Sequence, residues 1–319
     1  MTTVVITDYA WPDLDIEHEV LGGAGLDIAA GAPEPGSPAE IEALVERAKP
    51  AAIMTNWAQV SAKAVNSPPD LKIVQRLGVG LDNIAVEAAT ARGAWVTNVP
   101  DYCVEEVSDH AVGLLLAWAR GIVDFDRAVK RGEWKPATAR LHRVRDMTVG
   151  LLGFGRIGRR IAEKLQPFGV RLVAVTRSPF DAGALPVKRV PLDDMLAACD
   201  VVIVNAPLNA DNHHLLNAER LGRMKQGAFL INVSRGPIVD TAALIGALES
   251  GHLAGAGLDV VEGEPDPPRA LADRPNVIIT PHIAFTSAAS LAELRRRSCE
   301  EVVRVLKGEA PRHPCNQPA

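Results

Sequence analysis

Apolar residues fall along this chain in two alternating rhythms. Short β-branched runs, TVVIT (Thr3 to Thr7), AAIMT (Ala51 to Thr55), LKIVQ (Leu71 to Gln75) and AWVTN (Ala94 to Asn98), are separated by stretches with helical spacing. In PAEIEALVERA, Ile41, Leu44, Val45 and Ala48 share one helical face. Such alternation predicts a parallel sheet with helices on both faces. Val104 to Lys130 reads as one long helix or two consecutive ones, with Val107, Ala111, Leu114, Leu115 and Trp118 in helical register. Glu105 and Glu106 suit its N-terminus electrostatically. The segment is apolar enough that it must be covered by a neighbour, either another domain or a second subunit.

A second alternating series starts at Met147. MTVGLLG reads as a strand ending in glycines, followed by a helix with Ile157, Ile161 and Leu165 on one side, closed by Gly169. Strands are expected at Arg171 to Val175, Asp200 to Pro207, Ala228 to Val233, Ala256 to Val260 and Asn276 to His282. Asp240 is a candidate N-cap for TAALIGALES and Gly251 its stop. A last helix, Ser290 to Lys307, ends at Gly308, and the tail PRHPCNQPA is expected to be loose.

Composition narrows this little but excludes much. At 319 residues and 47% apolar, the chain suits two domains with sizeable cores. A net charge of -5 without a dense Lys/Arg block gives no reason to expect a nucleic-acid partner. The run Arg295-Arg296-Arg297 reads as a solvated helix face. The N-terminus lacks a signal-peptide pattern, and AVGLLLAWA is too short to cross a membrane. Cys103, Cys199, Cys299 and Cys315 are far apart and unpaired in pattern, which suggests reduced thiols and a cytoplasmic protein. The adjacent pair His213-His214 is not expected to bind metal, since neighbouring side chains should point apart.

Gly153, Gly155 and Gly158 spell G-x-G-x-x-G directly after a strand and at a helix start. The first glycine permits the turn, the second lets backbone approach a pyrophosphate, and the third lets helix and strand pack closely. The pyrophosphate would rest on amides at the helix N-terminus, so Phe154, Arg156 and Ile157 join the candidate cofactor residues. An NAD site would place an acid after the second strand to hold the ribose diol. Here Thr176, Arg177 and Ser178 stand instead. Arg177 can pair with a 2′-phosphate, which favours NADP over NAD.

Downstream, Arg235, Glu264 and His282 supply a permanent cation, a carboxylate and an imidazole. With RLGVGLDNI, VPDYCVEEVSDHAVGLLLA, LGFGRIGR, the run from LLNAERLGRMKQGAFLINVSRGPIVD, GLDVVEGEP and TPHIAF in this order, the sequence resembles the D-isomer-specific 2-hydroxyacid dehydrogenases over nearly its whole length. The resemblance looks nearest to the branch of phosphoglycerate dehydrogenases and C-terminal-binding-protein corepressors.

That resemblance implies an α/β architecture of two doubly wound parallel-sheet domains. Residues 1–103 plus 284–319 would form a discontinuous, flavodoxin-like substrate domain, and 104–283 a Rossmann dinucleotide-binding domain. It implies reversible hydride transfer between the nicotinamide and a D-2-hydroxy acid or 2-oxo acid. Arg235 would bind the carboxylate and 2-oxo oxygen through its planar donor fork. His282 would be acid in one direction and base in the other, as imidazole can near neutral pH. Glu264 would bind the far ring nitrogen and fix its tautomer. Val79 and Gly80 would complete carboxylate binding. Asp259 would touch the nicotinamide carboxamide, and Pro207, Val233, Ser234, Ala284 and His282 would line the cofactor side. A homodimer through the helix after Val104 is also implied.

Two further departures from the family pattern are visible. Asn209 replaces a common threonine, and Ala284 and Phe285 replace common glycines. Phe285 would narrow the site and favour an apolar substrate side chain, while Asn56 and Trp57 are candidates for the pocket wall. A second reading remains open: a dinucleotide-binding, corepressor-like scaffold without significant turnover.

Overall fold

The β-branched runs become strands of two parallel sheets in the computed structural model, which describes residues 2–318. One unit spans Met1–Tyr102 and Ser287–Ala319, the other Cys103–Thr286. In the first, β1 (Thr2–Ile6), β2 (Leu26–Ala30), β3 (Ala52–Thr55), β4 (Ile73–Arg76) and β5 (Trp95–Thr97) lie in the order β2-β1-β3-β4-β5, parallel throughout. This is the flavodoxin-like order.

Successive side chains of a strand point to opposite faces, so a sheet covered on both sides needs unbroken apolar runs. Val5, Ile53, Val74 and Val96 face one way, onto Ile41 and Val45 of helix Pro38–Ala48. Their neighbours Val4, Ile6, Ala52, Met54 and Ile73 face the other way, onto Cys299, Val302 and Val305 of helix Ala288–Leu306. The last helix is thus half of the first unit's core, although the intervening chain builds the other unit.

Two expectations fail here. Arg295 is not solvated: it is buried, donates to both oxygens of buried Glu17 at 2.9 and 2.7 Å, and reaches Asp13 at 2.9 Å. Arg296 and Arg297 also pair within the unit, with Glu19 and with Asp101 and Glu293. Nor is the tail loose. Cys315 N donates to Val96 O at 2.8 Å, and Val96 N donates to Asn316 Oδ1 at 2.8 Å. Buried Glu301 accepts from the amides of Arg312 and His313 at 2.5 and 3.1 Å. The exposed side of β5 offers a strand edge, and the polar tail satisfies it.

The second unit contains β6 (Thr148–Leu152), β7 (Arg171–Val175), β8 (Val187–Arg189), β9 (Val201–Val204), β10 (Ala228–Asn232), β11 (Leu253–Leu258) and β12 (Val277–Ile279). Their order is β12-β11-β10-β9-β6-β7-β8, again all parallel. The order reverses between β6 and β9, the place where doubly wound sheets bind ligands at their carboxyl ends.

The apolar segment from Val104 forms two helices, Val104–Ala119 and Ile122–Lys130, divided by Gly121 at φ 61°. The first buries Val107, Ala111, Leu114, Leu115 and Ala119 within its own unit. Gly257 makes room for Leu114, and Trp118 stacks on Phe229 at 4.5 Å. Exposed large apolar residues come later, at Ile122, Val129, Trp134 and Leu141. Among the described residues no helix is long and apolar enough to cross a membrane.

Candidate active site

Strands β10, β11 and β12 are parallel neighbours, so the loops after them leave from one edge of the sheet. Arg235 follows β10, Glu264 follows β11 and His282 follows β12. Glu264 Oε1 lies 3.0 Å from His282 Nδ1. A carboxylate on Nδ1 fixes the tautomer of the ring.

His282 sits at φ 53°, a left-handed conformation that a non-glycine residue adopts only when its surroundings impose it. Buried Asp259 imposes it. Its backbone oxygen accepts from His282 N at 2.9 Å, and its carboxylate accepts from the amides of Ile283 and Ala284 at 2.9 Å each. The Thr280 hydroxyl donates to the same carboxylate at 2.6 Å, and His110 Nε2 meets that hydroxyl at 2.9 Å. Such charge-assisted bonds in a buried place hold the histidine turn rigid. The Phe285 ring meets His282 edge-on, with centroids 6.2 Å apart.

The arginine turn is held in the same manner by an amide. Buried Asn232 donates to Arg235 O at 2.9 Å and accepts from Ser234 N at 3.1 Å. The Ser234 hydroxyl donates to Ala206 O, tying this turn to the loop after β9. Arg235 Nη1 donates to Ser234 O at 2.8 Å. Gly236 has no alternative: a Cβ there would stand 2.1 Å from the Val261 carbonyl carbon.

His213 and His214 do not point apart. Their ring centroids are 4.1 Å apart, because His214 adopts φ 49° and turns its side chain back. With Glu262 they make a group whose possible ligand atoms lie within 4.8 Å of one another. The Glu262 carboxylate is already engaged, however, at 2.5 Å from His214 Nε2. That is the contact of a proton-sharing pair, closer than two ligands of one cation would stand.

The glycine loop has the form a dinucleotide requires. Gly153 is at φ 107°, with the Ala206 amide nitrogen 2.9 Å from where a Cβ would stand. Gly158 packs against Gly153 O and Asn205 Nδ2, each 2.6 Å from its notional Cβ. Gly155 faces open space, and as N-cap of helix Arg156–Leu165 it has no side chain to spend on the first-turn amides. Those amides and the positive helix end suit a pyrophosphate. Phe154 is buried against Phe180, with the Arg159 guanidinium over its ring, so only its backbone can serve a ligand. Asn209 caps the turn after Pro207 by accepting from Asp211 N at 2.9 Å.

After β7, the Thr176 hydroxyl donates to Ser178 O at 2.6 Å, so it is spent inside its own turn. Arg189, from the edge strand, donates to the carbonyls of Thr176 and Arg177 at 3.0 and 3.1 Å. A second cation therefore stands beside Arg177.

In the first unit, the carboxyl ends of β1, β3 and β4 carry the other candidates. Buried Asp8 accepts from the amides of Asn56, Trp57 and Ala58 at 3.1, 2.7 and 3.2 Å. The Asn56 amide faces Leu77 O and Trp57 Nε1 at 3.1 and 3.0 Å. Arg76 lies 5.8 Å from the Trp57 ring centroid. Val79 is exposed, and its carbonyl accepts from Asn98 at 2.7 Å; Gly80 follows it on the loop after β4.

The sequence model described as the D-isomer specific 2-hydroxyacid dehydrogenase, NAD binding domain, matches residues 112–284. A glyoxylate reductase of Korarchaeum cryptofilum is 39% identical over 266 residues, 81% of this chain and 80% of that protein. The chain belongs to the D-isomer-specific 2-hydroxyacid dehydrogenase family. A crystal structure of a Thermus thermophilus protein superposes with a TM-score of 0.90 at 34% identity, covering 99% of this chain and 100% of that one. The NADPH-dependent glyoxylate/hydroxypyruvate reductase of Sinorhizobium meliloti, solved with NADP and malonate, gives 0.86 at 33% identity, with 98% and 96% covered. These relatives do not single out the phosphoglycerate dehydrogenase or corepressor branch.

Family membership makes this D-2-hydroxyacid dehydrogenase an oxidoreductase with a nicotinamide dinucleotide as cofactor. The fold brings Glu264 and His282 into contact and puts Arg235 on the adjoining strand end. Residues that pattern reading missed are the supports: Asp8, Asn205, Asn232, Arg189 and the His110–Thr280 pair. Most share one signal, a polar residue at the carboxyl end of an apolar strand.

Proposed function

We propose that this dehydrogenase reduces a small 2-oxo acid to the D-2-hydroxy acid and runs the reverse reaction. The observation that carries the reading is the Glu264–His282 contact of 3.0 Å on strand ends beside the arginine turn. The bound nicotinamide supplies or accepts the hydride. Arg235 binds the substrate carboxylate and polarises the carbonyl. His282 Nε2 delivers a proton to the carbonyl oxygen as charge develops there, and removes it in oxidation. Glu264 orients the ring and balances its charge.

Glyoxylate and hydroxypyruvate are the first substrates to consider, because the named relatives act on them. The Phe285 edge against His282 adds an apolar wall that suits a short or apolar side chain. Arg177, with Arg189 at the same turn, supports NADP over NAD. The exposed Ile122, Val129, Trp134 and Leu141 support self-association as a homodimer.

A panel of 2-oxo acids assayed with NADPH and with NADH tests this reading. Turnover is expected on small 2-oxo acids, and His282→Ala is expected to lower kcat by roughly 10²–10⁴. Tight cofactor binding with no turnover on any acid would replace it by the scaffold reading. Unchanged kcat in the variant would remove His282 from the reaction.

A further inference from the structure

Beside the arginine turn lies an ion pair that the reaction does not use. His214 Nε2 stands 2.5 Å from Glu262 Oε1, and the other Glu262 oxygen accepts from Thr241 N at 2.9 Å. Between these anchors runs the segment that begins with Arg235. His214 N donates to Pro237 O at 2.7 Å, Leu216 N to Ile238 O at 3.0 Å, and Asp240 N to Leu216 O at 3.1 Å. Gly236 is pressed onto the Val261–Glu262 peptide so closely that no Cβ fits. The loop after β9, the arginine segment and the loop after β11 are therefore laced together, and the His214–Glu262 pair is a side-chain clasp across the lacing.

We propose that His214 and Glu262 are positioning residues for Arg235, clasping the loops on either side of its segment so that the guanidinium is held where a substrate carboxylate must sit. The inference rests on the reading of Arg235 as the carboxylate clamp. His214 adopts its left-handed φ of 49° to reach Glu262, and that conformation is otherwise uncommon for a side-chain-bearing residue. The titratable groups facing His214 are Glu262, Asp240 and His213, while Arg220 reaches the neighbouring Leu215 carbonyl at 2.9 Å. The hydrogen bond to Glu262, and then the charges of Glu262 and Asp240, hold the His214 ring above its ordinary range despite partial burial. Burial pushes Glu262 up, but the bonds from His214 and Thr241 outweigh it and hold the carboxyl low.

A histidine raised in the folded state keeps its charged clasp complete below about pH 6.5, its ordinary value, and loses it as pH rises through the raised value. The KM for the 2-oxo acid should rise over that interval while the cofactor Kd stays level.

The test uses the full chain with NADPH and glyoxylate, or the panel member turned over best. Glu262→Gln and His214→Gln are expected to raise the 2-oxo acid KM roughly tenfold, as small misplacement of a binding group does. Their kcat should fall less than threefold, with cofactor Kd and melting temperature unchanged and the KM–pH slope flattened. His213→Ala should match the parent. Unchanged KM in both glutamine variants, or kcat and melting falling together without a KM effect, overturns the proposal. Arg235→Gln separates the two readings. If it leaves KM unchanged, the clamp reading itself fails; if it raises KM and the glutamine variants do not, only the clasp fails. Should the glutamine variants not fold, a KM of the unaltered protein that stays flat above pH 6.5 overturns the proposal as well.

Discussion

Two alanine substitutions in the glycine loop should produce opposite phenotypes. At Gly158 a new Cβ would stand 2.6 Å from both Gly153 O and Asn205 Nδ2, closer than any real Cβ contact. Neither neighbour is a flexible side-chain end, since the Asn205 amide itself donates to Gly153 O at 2.7 Å. Relief requires helix Arg156–Leu165 to move off the sheet, an overpacking strain of about 1–3 kcal/mol. For a domain of this size each kcal/mol lowers the melting temperature by roughly 2–4 °C. At Gly155 the backbone has φ -83° and nothing lies within 4 Å of the notional Cβ. Gly155→Ala should therefore keep or slightly raise stability, by about 0.4–1 kcal/mol from lost unfolded-state freedom. If the loop holds a pyrophosphate on the helix amides, the alanine methyl instead meets that group. Losing one charge-assisted bond there costs roughly 1.5–3 kcal/mol, or about ten- to a hundredfold in Kd. Cofactor-free thermal melts and a nucleotide fluorescence titration read the two effects separately. A Gly155→Ala protein that binds NADPH like the parent would refute the assignment of this loop to the pyrophosphate.

Arg177→Ala should weaken NADPH binding by roughly ten- to a hundredfold, as loss of a bond to a charged group does, and leave NADH binding near the parent value; equal losses for both would end the 2′-phosphate assignment. Glu17→Gln removes the buried half of the Arg295 ion pairing and leaves Asp13 as its acidic partner beside Trp11, and should cost about 1.5–3 kcal/mol in chemical denaturation, as loss of bonds to a charged group does. A loss below about 1 kcal/mol would show that water reaches that pair.

The strands legible in the sequence are the apolar and β-branched runs, the edge strands β5 and β12 among them. The two that are not, β2 and β8, are sheet edges as well. LDIAA carries an aspartate and VKR two cations, as exposed edges do to discourage pairing with another chain. The tail is illegible in the sequence for a related reason. Its residues are polar and bind through backbone and amide groups at β5, and no hydrophobic period records that. Arg295 shows the converse: three arginines in a row look solvated until an acid from the start of the chain, Glu17, arrives beside the first of them.

The site was legible where chemistry demands particular residue types in a particular order, and illegible where geometry is delivered by support. Nothing in TPHIAF announces that His282 must be left-handed, or that an aspartate one strand away supplies the bonds that make it so. The same economy recurs at each strand end. Asp8 holds the Asn56–Ala58 amides, Asn205 the Gly153 carbonyl, Asn232 the Arg235 turn and Asp259 the His282 turn. In a parallel sheet the carboxyl ends are where backbone groups run out of ladder partners, so a short acid or amide there can satisfy the loop that leaves the sheet. A polar residue closing an apolar strand is therefore a positional signal in its own right. It marks the loops whose shape is imposed by the strand rather than by their own sequence, and in this chain those are the loops that carry Arg235 and His282.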